Sequence, residues 1–159
     1  MELDAIEIDA FLADSVSVAD NKINVEGAGW DTIVTSGFPF RYSRLGIAFV
    51  LRVPWTATNR MHQFGIRLID LDGKFLPLAD APPGLDLPGG KAYELQGQFN
   101  VGRPPALSPG ESQLIPVAVN IDDIVFPAAT TYSIVISIDE SEVRRLTIRV
   151  QSAPVTTPS

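Results

Sequence analysis

Cysteine is absent from all 159 residues, and His62 is the only histidine. The first absence removes disulfides, thiolate nucleophiles and cysteine metal sites, and it suits a reducing cytoplasm without proving one. The second leaves one imidazole for any acid–base role. Long apolar runs are missing too, so no stretch approaches the roughly 20 residues of a membrane span. Met1-Glu2-Leu3-Asp4 lacks the basic and apolar regions of a signal peptide. A cytoplasmic setting is expected, with export by another route left open. Basic residues are outnumbered, twelve Lys and Arg against nineteen Asp and Glu, for a formal charge of −7. Phosphate backbones repel such a surface, so neither nucleic acid nor membrane is an expected partner. There is no Gly-x-Ser-x-Gly elbow, phosphate loop or dinucleotide fingerprint.

What is present is punctuation. Thirteen prolines and twelve glycines lie between short apolar runs and argue against long helices. An apolar share of 45% with 19% charge is that of one folded domain. The organising stretch is His62 to Leu76. Phe64, Ile66 and Leu68 alternate with polar positions, and Asp72-Gly73 predicts a two-residue hairpin turn with positive φ.

The same alternation recurs along the chain. Ile6, Ile8, Ala10 and Leu12 face in, with Glu7 and Asp9 out; Val16 and Val18 continue, and Ile23 and Val25 begin the return. Gly27-Ala28-Gly29 predicts a bulge or close backbone approach beside Trp30. Residues 36–40 are expected to form a loop. In 45–53, Leu45, Ile47, Phe49, Leu51 and Val53 share one face, and the other face is nearly apolar, so this strand should be central. Tyr93 to Val101 and Ile115 to Ile121 are further strands, and Asp122-Asp123 marks a connection. Tyr132, Ile134, Ile136 and Ile138 pair with Leu146, Ile148 and Val150 across a turn at Asp139 to Glu142.

Strands at this spacing without a helix predict an all-β fold, a single-domain antiparallel β-sandwich, immunoglobulin-like in architecture. The domain spans 1–151, and 152–159 is expected to be a flexible tail.

Three stretches carry a resemblance. Ala13-Asp14-Ser15-Val16 to Gly29-Trp30-Asp31, Val53-Pro54-Trp55 to Asp72-Gly73, and Tyr132 to Val150 resemble uncharacterised bacterial proteins classed only as a domain of unknown function. The resemblance implies a compact all-β fold and carries over no catalytic residue, cofactor or partner. Related hairpins often have glycine in the last turn; Asp139-Glu140-Ser141-Glu142 lacks it.

Several side chains invite chemistry. His62 could act as a base oriented by Asp70, but eight residues along one strand separate them by roughly 26 Å. The expected role is a polar residue at a strand start, with His62→Ala changing stability little. Asp70-Leu71-Asp72-Gly73 lacks the further oxygen ligands of a calcium loop, and a hairpin turn explains it. Asp80, Asp86, Asp122 and Asp123 are left as possible inter-loop calcium ligands. Trp30, Trp55, Phe38, Phe40 and Tyr42 suit either a sugar platform or the core, and the core is favoured.

The expected function is a non-enzymatic module for protein–protein interaction or self-assembly, with no cofactor and no metal. Its interaction surface is placed in the aperiodic 77–90 loop, at Leu85, Leu87, Pro82 and Pro83, since the two leucines have no evident core face. The alternative is a loop-end ligand module for carbohydrate or calcium. A hydrolase using carboxylates alone is a third reading.

Overall fold

Branched and aromatic side chains at period two fit a pleated, half-buried surface, and this pattern builds nearly all regular structure in the molecule. The computed structural model describes residues 5–154. In chain order the strands are β1 (Glu7–Ala13), β2 (Ser15–Ala19), β3 (Lys22–Glu26), β4 (Thr32–Thr35), β5 (Phe40–Val53), β6 (Met61–Ile69) and β7 (Phe75–Leu76). They continue with β8 (Ala79–Asp80), β9 (Lys91–Ala92), β10 (Leu95–Asn100), β11 (Gln113–Phe126), β12 (Thr131–Ile138) and β13 (Ser141–Ser152). Single 3-10 turns lie at Trp55–Ala57 and Pro88–Gly90, and no α-helix occurs among the described residues. The fold is all-β.

One sheet has the order β1-β5-β11. The larger one runs β10-β6-β12-β13-β4, with β7 also beside β6. The β2–β3 and β8–β9 pairs are separate two-stranded ribbons. Leu45, Ile47, Phe49, Leu51 and Val53 of β5 are each 0% exposed, as are Ile66, Leu68, Ile134, Ile136 and Ile148 of the larger sheet. All belong to one apolar cluster, within which the Phe49 and Phe64 rings meet edge-on at 5.5 Å.

As expected, β5 is central in its sheet. Ala48, on its other face, is buried with Ala13 of β1 and Val16 of the β2–β3 ribbon. Asn120 of β11 ties that ribbon down. Its Oδ1 accepts from Val16 N at 3.1 Å and its Nδ2 donates to Val16 O at 2.8 Å.

The structure corrects several boundaries. β5 begins at Phe40 rather than Leu45, because Phe40 to Arg44 pair with β11 as far as Phe126. Asp122 and Asp123 therefore lie inside β11, not in a connection; Asp123 adopts φ 56 between the paired Asp122 and Ile124. The β13–β4 pair is parallel, an exception to the antiparallel expectation. Alternation tells which face a residue uses but not the direction of a neighbour.

The hairpin turn also differs. Gly73 N donates to Asp70 O at 3.1 Å, and Asp70 Oδ1 accepts from the N–H groups of Asp72 and Lys74. Only Gly73, at φ 78, is left-handed there. This is a turn centred on Leu71-Asp72 closed by glycine, not a two-residue Asp72-Gly73 turn. The Asp70 side chain supplies the acceptor that selects it.

The expected tail begins one residue early: Ser152 pairs with Thr35, and Ala153 N donates to Thr35 O at 2.8 Å. Residues 155–159 of that tail lie outside the described residues.

Phe49→Ala or Ile136→Ala should each cost about 2–5 kcal/mol, the range for emptying a fully buried apolar site. Urea unfolding measures it, and a loss under about 0.5 kcal/mol would remove that residue from the core.

Candidate functional site

Two places concentrate side chains that the fold does not simply consume. One is the 77–90 loop. Its base is stitched by the β8–β9 pair, by Leu78 N to Ala92 O at 2.8 Å and by Ala81 N to Gly90 O at 2.9 Å. Leu76 and Leu78 are buried below the stitch. Above it the chain turns at Pro82, where Leu85 N donates to Pro82 O. A groove of about 620 Å³ opens between this braced loop and the start of β10. Pro82, Leu85, Leu87, Pro88, Tyr93 and Leu95 give it apolar walls. Leu85 is 59% exposed and Tyr93 37%. Of the expected interaction residues, Pro82, Leu85 and Leu87 line one groove, whereas Pro83 does not. Tyr93, expected to begin the strand that runs to Val101, lies on its rim because β10 starts only at Leu95.

The other place is His62. It is 2% exposed, so it is not an accommodating polar residue at a strand start. Its Nε2 meets Ala57 O at 2.7 Å and its Nδ1 meets Asp139 Oδ2 at 2.7 Å. A carbonyl and an ionised carboxylate only accept, so each ring nitrogen faces an acceptor oxygen. The ring stacks on Phe99 at 5.1 Å.

Asp139 returns the clasp twice over. Its Oδ1 accepts from Gln63 N at 3.0 Å, and its own N–H donates to Gln63 O at 2.8 Å. Asp139 and Glu140 take φ 49 and φ 70, the conformation of a two-residue turn that usually needs glycine. The long-range bonds to His62 and Gln63 hold it without one.

Arg60, Asp139, Ser141 and Glu142 line a groove of about 500 Å³ beside this clasp. The pair has the form of a base with its orienting carboxylate, but both histidine nitrogens are occupied, which leaves none to take a proton from a substrate. Glu142 is itself bound to Arg145 at 2.7 Å. The sequence signal for this clasp was indirect: a buried-strand histidine and, 77 residues on, a turn with no glycine.

Residues 8–151 match DUF6941, a family of unknown function. The chain belongs to that family. No curated protein matches it.

Elsewhere in this DUF6941 domain, Asp80, Asp122 and Asp123 share a groove of about 340 Å³, whereas Asp86 does not line it. Each of the three has a cation. Lys91 binds Asp80, Arg44 binds Asp122 at 2.7 Å, and Arg41 stands 4.0 Å from Asp123. The Lys91 hydrogen bond, then its charge, holds the Asp80 carboxyl below the usual range, and the Arg44 hydrogen bond does the same for Asp122. Among the described residues no group of three acidic or histidine side chains is arranged to hold a metal ion.

The aromatic residues divide. Trp30 and Phe40 lie 6.0 and 6.2 Å from Tyr42, and with Phe38 they pack partly buried against the core. Burial, then the Asp14 carboxylate, pushes the Tyr42 phenol up. Trp55 stands apart under the Arg103 guanidinium, 3.9 Å from its ring centre. Among the described residues no helix is long and apolar enough to cross a membrane.

The clasp changes what is expected of His62→Ala. It should destabilise the protein by about 1–3 kcal/mol, because it orphans polar partners and opens a buried space. Burial alone would raise the Asp139 carboxyl, but hydrogen bonds from His62 and Gln63, with the His62 and Arg60 charges, outweigh it and hold it low. A carboxyl lowered by folding contributes stability that is complete above its unfolded value, near about pH 4, and is lost as pH falls through the lower folded value. Asp139→Asn should therefore flatten the fall in melting temperature below about pH 4, read by thermal scans across pH. An unchanged acid limb would show that Asp139 is not linked to folding.

Calcium should leave the melting temperature where it is, since all three grouped aspartates are paired. A native-state ligand raises it with the logarithm of concentration. A rise of that kind, absent with magnesium, would show that the ion displaces these cations.

Proposed function

We propose that this DUF6941 chain is a non-enzymatic protein-interaction module of the bacterial cytoplasm. Its two main sheets act as an antiparallel β-sandwich of immunoglobulin-like architecture. Two observations support that arrangement. The sheets contribute to one apolar cluster. Tyr132, near the start of β12, donates through Oη to Ala128 O at 2.7 Å and accepts from Ala128 N at 3.1 Å. A tyrosine hydroxyl bonded a few residues upstream is a corner device of such sandwiches.

The observation that carries the functional reading is the groove at the 77–90 loop. Large apolar side chains left in water cost free energy unless a partner covers them. Leu85, Leu87 and Tyr93 stand there together on a loop whose base is hydrogen-bonded, so the surface is largely preformed and binding orders little chain. A partner would insert an apolar or aromatic anchor between the loop and β10. The engaged nitrogens of His62 and the paired carboxylates favour binding over catalysis.

The test is the double variant Leu85→Ser, Leu87→Ser. Partners captured by the immobilised wild-type protein are identified by mass spectrometry, purified and titrated against both proteins by calorimetry. The variant should keep its urea midpoint, with an unfolding free energy changed by about 0.5 kcal/mol or less at exposed Leu85 and by little more at half-buried Leu87. It should bind at least about tenfold more weakly, or about 1.4 kcal/mol. A collapsed midpoint would make the leucines structural. An intact midpoint with undiminished affinity would move the interface elsewhere.

A further inference from the structure

We infer that two copies of this chain pair edge to edge through β10, antiparallel about a twofold axis. β10 ends the larger sheet, and among the described residues its backbone hydrogen bonds run only to β6. Alternate N–H and C=O groups along Leu95–Asn100 therefore point into solvent, a template for another strand.

Among the described residues the other edges of the two main sheets are guarded, including β13 ahead of its pairing with β4, where it carries Glu142, Arg144 and Arg145. β1 carries Glu7 and Asp9; β11 carries Pro116 and the left-handed Asp123; β4 is only four residues long. β10, Leu-Gln-Gly-Gln-Phe-Asn, has no charge, no proline and no register shift against β6. Charge names the occupant. Each copy carries −7, yet none of its 12 basic and 19 acidic residues falls in 95–102. Two identical acidic molecules meet with least repulsion along such a segment.

Geometry narrows the register. Directly opposed residues must share a face. Centring on Gly97 sets Leu95 against Phe99 of the second copy on the core face, and Gln96 against Gln98 on the wet face. Gly97 suits the axis because its own Phe64 ring already fills the space a side chain would take. Centring on Gln98 would instead drive Phe99 onto that ring. Apolar and amide cross-strand pairs both stabilise. The contact is short, far below the roughly 1,600 Å² of a standard interface, so the dimer is weak. It adjoins the proposed groove at Leu95 and Gln96 but does not use Leu85 or Leu87.

Sedimentation equilibrium of the full chain, from about 10 to 500 µM, should show a concentration-dependent dimer. Gln96→Lys with Gln98→Lys places like charges against each other on solvent-facing positions and should weaken it at least about tenfold. Leu85→Ser with Leu87→Ser should leave it unchanged. With no native thiol, an equimolar mixture of Gln96→Cys and Gln98→Cys proteins should cross-link on oxidation, and either alone should not. A wild-type monomer throughout the range overturns the inference. So does a dimer that survives the lysines, one abolished by the loop serines, or a mixture that fails to cross-link.

Discussion

Five side chains of β5, from Leu45 to Val53, must leave water together, and they do so in one cluster with apolar side chains of the larger sheet. Burying each is worth about 1.5–3 kcal/mol, more than a single polar contact supplies. Ile66, Leu68, Ile134, Ile136 and Ile148 provide that cover, all at 0% exposure. Once this seam closes, the order of strands around it follows. β1 and β11 complete β5's ladders, and β12 must lie between β6 and β13 to bring its isoleucines to the seam.

Burial is non-directional, so polar clasps set what it leaves free. Asn120 holds the β2–β3 ribbon, and Tyr132 holds the chain entering β12. His62 joins the 3-10 turn at Ala57 to the β12–β13 turn at Asp139. Each adds about 0.5–1.5 kcal/mol net, but leaving one partner buried and alone costs more. Such contacts specify geometry more than they supply stability. The Asp139-Glu140 turn illustrates this, since its left-handed residues persist because distant groups grip one of them.

The core of β5, β6, β12 and β13 was legible because period two is a local property of the chain. Every inward position expected in 45–53 and 132–138 is buried. The early part of β5 was not legible. Phe40, Arg41 and Tyr42 follow a glycine and proline stretch that resembles a loop, and only pairing with residues 124–126 makes them a strand. The groove was half legible: leucines without a core face announced exposure, but nothing local showed Tyr93 and Leu95 opposite them. His62 was misread as accommodating because its partner, Asp139, lies 77 residues away.

From the sequence alone follow the all-β class, the faces of the main strands, the acidic surface and the absence of thiol chemistry. Each depends on composition or on neighbours one or two residues apart. The tertiary structure alone decided the parallel β4, the turn at Asp70 to Gly73, the cations beside the three aspartates and the burial of His62. It also decided which strand edge stayed open. These depend on which distant segments meet, and that is chosen by the joint burial of two sheets rather than by any one strand's pattern.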